Sequence, residues 1–376
     1  MKLFSKLFIL FAPAIFVACS GGGNRSTRSD GDTLHLKYAT NLKIIRYKDF
    51  TSVELADPWN EGKTLHTYLL VSKTAPQPDN LPAGTVVKIP LSKSVIATSV
   101  HCGLVESLGK KTSIAGVCDL QYINIPWVVE QCKKGLIADC GSGLSPTIET
   151  IIDLSPDAIF LSPFQNSGGY GKLEDINVPI IETADYMETS ALGRAEWMKY
   201  YGMLFGAEKE AEEMFQRVEA NYLRLKQLAK SSNTRPSLVM DKQTGSVWYV
   251  PGGCSTMGRL IADANIDYPY GDDAHSGSLP LPFESVLEKA GQCDLWAFRY
   301  NSPQPATFAS VVSENDGYRQ LKAYKDRNMY GCNTATSSFY EDTPFHPDLL
   351  LRDFIIMAHP DIDSLGATRY FIKVTE

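Results

Sequence analysis

The segment 191-ALGRAEWMKYYGMLFGAEKEAEEMFQRVEANYLRLKQLAK-230 reads as a helical spine with a globular lobe on either side. Leu192, Ala195 and Met198 recur at helical spacing. After a break at Gly206 so do Ala211, Met214, Phe215, Val218, Tyr222, Leu225 and Leu228, which predicts one apolar face. Acids gather from Glu208 onward, and Arg224, Lys226 and Lys230 close the segment, the polarity a helix dipole favours. Some twenty residues of such a helix span about 30 Å, the width of a small domain.

Two blocks flank the spine and repeat one pattern. Before it, Ile148-Glu149-Thr150-Ile151-Ile152-Asp153-Leu154 passes through Ser155-Pro156-Asp157 into Ala158-Ile159-Phe160-Leu161. After it, Phe283-Glu284-Ser285-Val286-Leu287-Glu288-Lys289-Ala290 passes through Gly291-Gln292-Cys293-Asp294 into Leu295-Trp296-Ala297-Phe298. Each has a Glu opening a short amphipathic helix, a break, an Asp, and an apolar run of strand length. Their placement about the spine predicts an α/β protein of two similar lobes with central sheets, joined by a long helix, with a ligand cleft between. The lobes cover residues 35–190 and 231–376, and the spine 191–230. Strand-like runs from His35 to Leu91, with a Pro-rich turn at Pro76 to Pro82, predict an antiparallel prelude to the first lobe.

At 376 residues the chain exceeds what one core usually holds, and 44% hydrophobic with 21% charged residues is ordinary for a globular protein. A formal net charge of −7 with no compensating basic run argues against nucleic acid as a partner. Residues 1–19 read as a targeting signal, with Lys2 and Lys6 before an apolar run from Leu7 to Val17, too short to span a bilayer. Ala18-Cys19-Ser20 resembles the bacterial lipobox, in which the cysteine is acylated and becomes the mature N-terminus. An ordinary secretory signal cleaved nearby is the alternative. Residues 20–34, Gly, Ser, Thr and Arg rich, read as a flexible tether, so the protein is expected to work in the cell envelope, facing the periplasm or exterior. Seven further cysteines leave at least one thiol free, and no CxxC pair suggests a zinc or iron–sulfur site.

Several features taken together resemble the helical-backbone (class III) substrate-binding proteins of ABC importers: the lipobox, the spine, Leu108-Gly109 before Ile114-Ala115-Gly116-Val117, both repeated blocks, Pro251-Gly252-Gly253 before Leu260-Ile261-Ala262-Asp263-Ala264, and Leu350 to Pro360. The resemblance runs from about Ile89 to the end, and the ordered set carries it. It implies a non-enzymatic protein without an intrinsic cofactor, which captures an iron chelate (ferric siderophore or haem) and delivers it to an ABC permease dimer with its ATPase subunits. Cobalamin is the alternative cargo. It also implies that a surface glutamate on each lobe docks onto permease arginines, at the positions matched here by Glu149 and Glu284. As a bare reading, each is a first-turn acid favoured by its helix dipole.

A ligand between the lobes should meet loops that follow the carboxyl ends of strands. These loops hold residues 99–102, 119–122, 163–165, 251–256, 275–278, 299–301 and 339–345. Stacking surfaces and a guanidinium suit a planar or anionic chelate, which selects Tyr122, Phe164, Arg299, Tyr300 and Tyr340 as ligand contacts. His101 and His275 are weighed as ligands of a bare metal ion, but with six His and no His-rich loop an intact chelate is favoured. The Gly252-Gly253 pair could cradle a phosphate, yet no P-loop Lys-Ser/Thr follows, and a helix entry is the plainer reading. A hydrolase is the competing class. Ser99, Ser276 and Ser278 offer hydroxyls, but there is no GxSxG elbow.

Overall fold

Alternating apolar residues build the first sheet. A computed structural model describes residues 31–166 and 169–376, and the leader with Cys19 lies outside them. Strands β1 (Asp32–Leu34), β2 (Leu42–Arg46), β3 (Thr51–Ala56), β4 (Thr64–Ser72) and β5 (Thr85–Ile89) lie in sequence order, so the last three residues of the expected tether are instead a strand, held by pairing with β2. Leu42, Ile44, Val53, Leu55, Tyr68, Leu70 and Val87 turn one face to the core. Pairing is antiparallel from β1 to β4, but β4 and β5 are parallel, contrary to the all-antiparallel expectation. The Pro-rich segment between them is long enough to cross over rather than turn back, and parallel pairing needs such a connection.

The first lobe follows. Its strands are β6 (Ser94–Ile96), β7 (Ile114–Val117) and β8 (Ala138–Asp139), a small ribbon of β9 (Gly141–Ser142) and β10 (Ser145–Pro146), then β11 (Ala158–Leu161) and β12 (Ile180–Glu182). Helices α1 (Ser99–Ser107), α2 (Pro126–Lys133) and α3 (Ile148–Leu154) connect them. The central sheet is parallel in the order β12-β11-β6-β7-β8. Parallel strands place the loops after their carboxyl ends on one edge, where α1 begins.

The spine is three helices rather than one: α4 (Ala191–Glu196), α5 (Met198–Phe205) and α6 (Glu208–Lys230). Gly206 takes a left-handed conformation (φ +60°) that ends α5 and turns the chain into α6, a position where a side chain would be strained. The 23 residues of α6 extend about 34 Å. Met214, Phe215, Val218, Tyr222 and Leu225 are buried along its inner face, and each large side chain so buried contributes about 1.5–3 kcal/mol.

The second lobe contains β13 (Leu238–Met240), β14 (Gln243–Thr244), β15 (Val247–Pro251), α7 (Thr256–Asp263), β16 (Ser278–Leu281), α8 (Phe283–Ala290) and β17 (Leu295–Tyr300). It continues through α9 (Phe308–Glu314), α10 (Lys322–Lys325), β18 (Met329–Asn333), α11 (Phe339–Asp342), α12 (Pro347–Ala358) and β19 (Ile372–Lys373). Its main sheet runs β13-β17-β18-β19, parallel except for β19, beside an antiparallel β14-β15-β16 sheet. The repeated blocks of sequence are thus α3–β11 and α8–β17, one in each lobe.

Two buried carboxylates latch the first sheet to the spine. Glu196 accepts the backbone N–H groups of Lys37, Tyr38 and Ala39 at 2.7–3.0 Å. Glu188 accepts those of Thr40 (3.0 Å) and Asn41 (2.8 Å) and the Trp197 indole N–H (3.0 Å). Charge-assisted bonds to otherwise unpaired backbone donors are among the stronger ones a fold can make.

Candidate functional site

Where the two lobes face each other they leave a cleft of about 300 Å³. Val100 of α1, Tyr186 and Arg194 close it from the first lobe and spine, and Met257, Arg299 and Tyr340 from the second lobe. The serine hydroxyls of Ser276 and Ser278 and the α12 residue Leu350 complete the wall.

Each of the two cleft arginines is held by a buried aspartate. Arg299, near the end of β17, forms a two-toothed pair with Asp241, Nε to Oδ1 at 2.9 Å and Nη2 to Oδ2 at 2.6 Å. Asp241 follows β13 directly, and its own N–H donates to the Ala297 carbonyl (2.7 Å), so the sheet fixes the pair. Burial opposes the charge on Arg299, but the Asp241 carboxylate outweighs it and raises the guanidinium pKa. On the other side, Arg194 Nε donates to Asp185 Oδ2 at 2.9 Å. Asp185 also accepts from the Tyr201 hydroxyl (2.8 Å) and from His101 Nε2 (2.8 Å), whose Nδ1 meets Thr98 Oγ1 at 2.6 Å. Full burial alone would raise the Asp185 pKa, yet His101 and Arg194 hold it below the ordinary carboxylate value.

The Thr98–His101–Asp185 line resembles a hydroxyl–imidazole–carboxylate relay, but His101 is buried and Asp185 spends both oxygens on three partners. Thr98 serves as the N-cap of α1. The line holds Arg194 in place through Asp185.

Of the residues the sequence selects, Arg299 and Tyr340 are brought together in the cleft. Tyr300 is not, because neighbours on a strand point to opposite faces. Its hydroxyl accepts from the Ala306 N–H (2.9 Å), and its ring lines a separate cavity beside β19. Tyr122 is 65% exposed on a turn outside the cleft lining. Phe164, 53% exposed, lines a depression with Leu144 and Ile148 on the first lobe. His275 is an exposed side chain whose Nδ1 meets Asp273 Oδ1 at 2.9 Å, and among the described residues no group of three or more His, Cys, Asp or Glu could hold a metal ion. The seven cysteines 102, 118, 132, 140, 254, 293 and 332 are unpaired, and burial pushes the Cys118 thiol up to about 12.

The glycine pair has a structural reason. A Cβ on Gly252 would come within 2.3 Å of the His275 carbonyl oxygen, and one on Gly253 within 2.3 Å of that of Gly271. These glycines admit the neighbouring loop, not a phosphate, and Ser255 then caps α7 through Gly258 N–H (3.0 Å). That loop carries Ser276 and Ser278 to the cleft.

Glu149 and Glu284 are exposed in the first turns of α3 and α8. Both helices precede a parallel strand of their lobe, so both glutamates lie level with the carboxyl edges of the sheets. Among the described residues neither is in an ion pair. Sequence reasoning misses Arg194, Asp185 and Asp241, because no local pattern distinguishes an arginine or aspartate that finds its partner across a fold.

A family model described as periplasmic binding protein matches residues 96–336. The chain belongs to the periplasmic binding protein family. The match begins after the first sheet, so β1–β5 lie outside the part this periplasmic binding protein shares with the family model. The chain is 26% identical over 365 residues to an uncharacterized lipoprotein of Methanocaldococcus jannaschii, covering 90% of this chain and 85% of that one. Among solved structures, a molybdate periplasmic binding protein of Haemophilus influenzae is similar at 16% identity with a TM-score of 0.57, covering 74% of this chain and 90% of that one. A periplasmic heme binding protein from Pseudomonas aeruginosa is similar at 15% identity and TM-score 0.56, covering 76% and 96%. These likenesses establish the two-lobe fold. Among the described residues no helix is long and apolar enough to cross a membrane.

Proposed function

We propose that this periplasmic binding protein is the lipid-anchored capture component of an ABC importer, taking an iron chelate (ferric siderophore or haem) in the interlobe cleft and delivering it to the permease. The observation that carries this reading is the pair of cleft arginines, Arg194 and Arg299, one on each side and each tied to a carboxylate. Their charges are cancelled locally, while the guanidinium N–H groups not used by the aspartates remain as hydrogen-bond donors. Such a cleft suits a chelate rich in acceptor oxygens and low in net charge, in place of the strongly anionic chelate that a free guanidinium would select. Its volume of about 300 Å³ lies at the small end for ligand sites, which favours the smaller chelates over cobalamin. The heme-binding structural neighbour is in keeping with this class of cargo, and the molybdate-binding one with a compact ligand.

Anchoring through acylated Cys19 and docking through Glu149 and Glu284 belong to the same proposal. The lipoprotein relative supports the anchor. The exposed, repeated placement of the two glutamates supports docking. The test is a visible absorption spectrum and native mass spectrum of protein purified from its own host, followed by fluorescence titration with ferric chelates and haem. Co-purification of a coloured chelate, or saturable binding of one in the micromolar range or tighter, is expected. Protein that is colourless and binds none of them overturns the assignment.

A further inference from the structure

A second cavity, of about 530 Å³, lies between the first sheet and the edge of the first lobe, away from the cleft. Its walls are His66 of β4, Thr85 and Val86 of β5, Tyr170, and residues 178–180 and 182 at and before β12. The buried Tyr68 of β4 ties the two sheets, its hydroxyl donating to the Ile180 carbonyl (2.9 Å) and accepting from the Glu182 N–H (2.8 Å). Two sheets from different parts of the chain are thereby joined around a space neither encloses alone.

The chemistry of the wall is one-sided. Glu174 and Glu182 line it, and among the described residues no lysine or arginine does. Glu182 is only 9% exposed. Its Oε1 accepts from the Tyr170 hydroxyl at 3.1 Å, whereas Oε2 is enclosed without a hydrogen-bond partner. His66 Nδ1 stands off at 3.5 Å, and its Nε2 is engaged with Thr85 Oγ1 at 2.8 Å. Burial pushes the His66 pKa down, so the imidazole brings no positive charge at neutral pH. Burial raises the Glu182 pKa, because a carboxylate enclosed here lacks both a cation and a full set of donors, and a group that supplies both would restore its charged form.

We propose that this cavity is a second ligand site, for a small organic cation that carries an ammonium group. The ammonium pairs with Glu182, and the carbon skeleton lies against Tyr170, Val178 and Pro179. The site is independent of the cleft and of its cargo.

Calorimetry on the full chain in detergent, with the detergent blank subtracted, compares butylammonium chloride with 1-butanol, its uncharged counterpart. A charge-assisted pair predicts saturable butylammonium binding at least about tenfold tighter than butanol. Glu182→Gln removes that preference, and Tyr340→Ala in the cleft leaves it intact. If Glu182→Gln does not fold, Val178→Trp, which fills the cavity, must abolish binding instead. Equal binding of amine and alcohol, absence of saturable amine binding, a preference that survives in folded Glu182→Gln, or binding that survives Val178→Trp overturns the second site and leaves the cleft assignment untouched.

Discussion

Asp157, in the turn before β11, and Asp294, in the turn before β17, each accept the backbone N–H and the hydroxyl of a serine that leads into the neighbouring parallel strand. For Asp157 the serine is Ser92, at 2.7 and 2.9 Å, and for Asp294 it is Ser237, at 2.9 and 2.8 Å. A lysine completes each arrangement, Lys73 at 2.7 Å and Lys322 at 2.9 Å. The aspartate that recurs in both sequence blocks is therefore a strand-to-strand tie, used once per lobe to align β11 with β6 and β17 with β13.

The tie predicts acid sensitivity. Hydrogen bonding to Lys322 and Ser237 lowers the Asp294 pKa to about 2. A depressed carboxylate pKa gives stability that is complete above the unfolded value, near 4, and is lost as pH falls through the folded one. Asp294→Ala should lower stability at pH 7 by about 1 kcal/mol, allowing for solvent screening. Melting curves of variant and wild type should converge between pH 4 and pH 2. A gap that is constant across that range would show that Asp294 acts by packing alone.

Removing the partner of a cleft arginine separates charge from shape. Asp241→Asn leaves Arg299 charged and without its carboxylate, which should cost about 2 kcal/mol in denaturant unfolding, less than a fully buried pair because Arg299 is partly exposed. The cleft then carries net positive charge. Titrations should show a shift in preference toward more anionic chelates, and an unchanged ranking would mean that the Arg299–Asp241 pair does not set cargo charge.

The latch between the first sheet and the spine should be breakable at one residue. Glu188→Ala strands the N–H groups of Thr40 and Asn41 and the Trp197 indole. A loss of about 3 kcal/mol is expected, the range for emptying one side of a buried charged network. Limited proteolysis should cut near residues 37–41 faster than in wild type, with the cut site read by mass spectrometry.

Docking and folding should separate at the paired glutamates. A charge-assisted contact to a permease arginine would contribute about 1.5–3 kcal/mol, whereas an exposed first-turn acid contributes a few tenths to about 1 kcal/mol to the helix. Replacing Glu149 and Glu284 together by Ala should leave melting temperature and ligand affinity nearly unchanged while uptake falls sharply. Binding of the wild type to reconstituted permease should weaken as salt rises. Normal uptake by the double variant would return both residues to the role of helix-entry acids.

Hydrophobic period and local breakers are legible along the chain. The apolar face of α6, the stop at Gly206, the two matched blocks and the strand-rich first segment are all readable, because each depends on residues a few positions apart. Several cleft loops are readable too, since residues 251–256 follow the apolar run of β15, 275–278 lead into β16 and 339–345 come after β18, although of these strands only β18 pairs in parallel. Which side chains meet there depends on packing between distant segments. Tyr300 turned away because Arg299, its neighbour on β17, took the cleft face, and β5 joined β4 in parallel because its connection crosses over. Asp241 reaches Arg299 across 58 positions of chain, and Glu188 holds Asn41 across 147. Charge pairing of that kind has no period along the chain and is set by where the packed sheets and helices bring distant groups to hydrogen-bond distance.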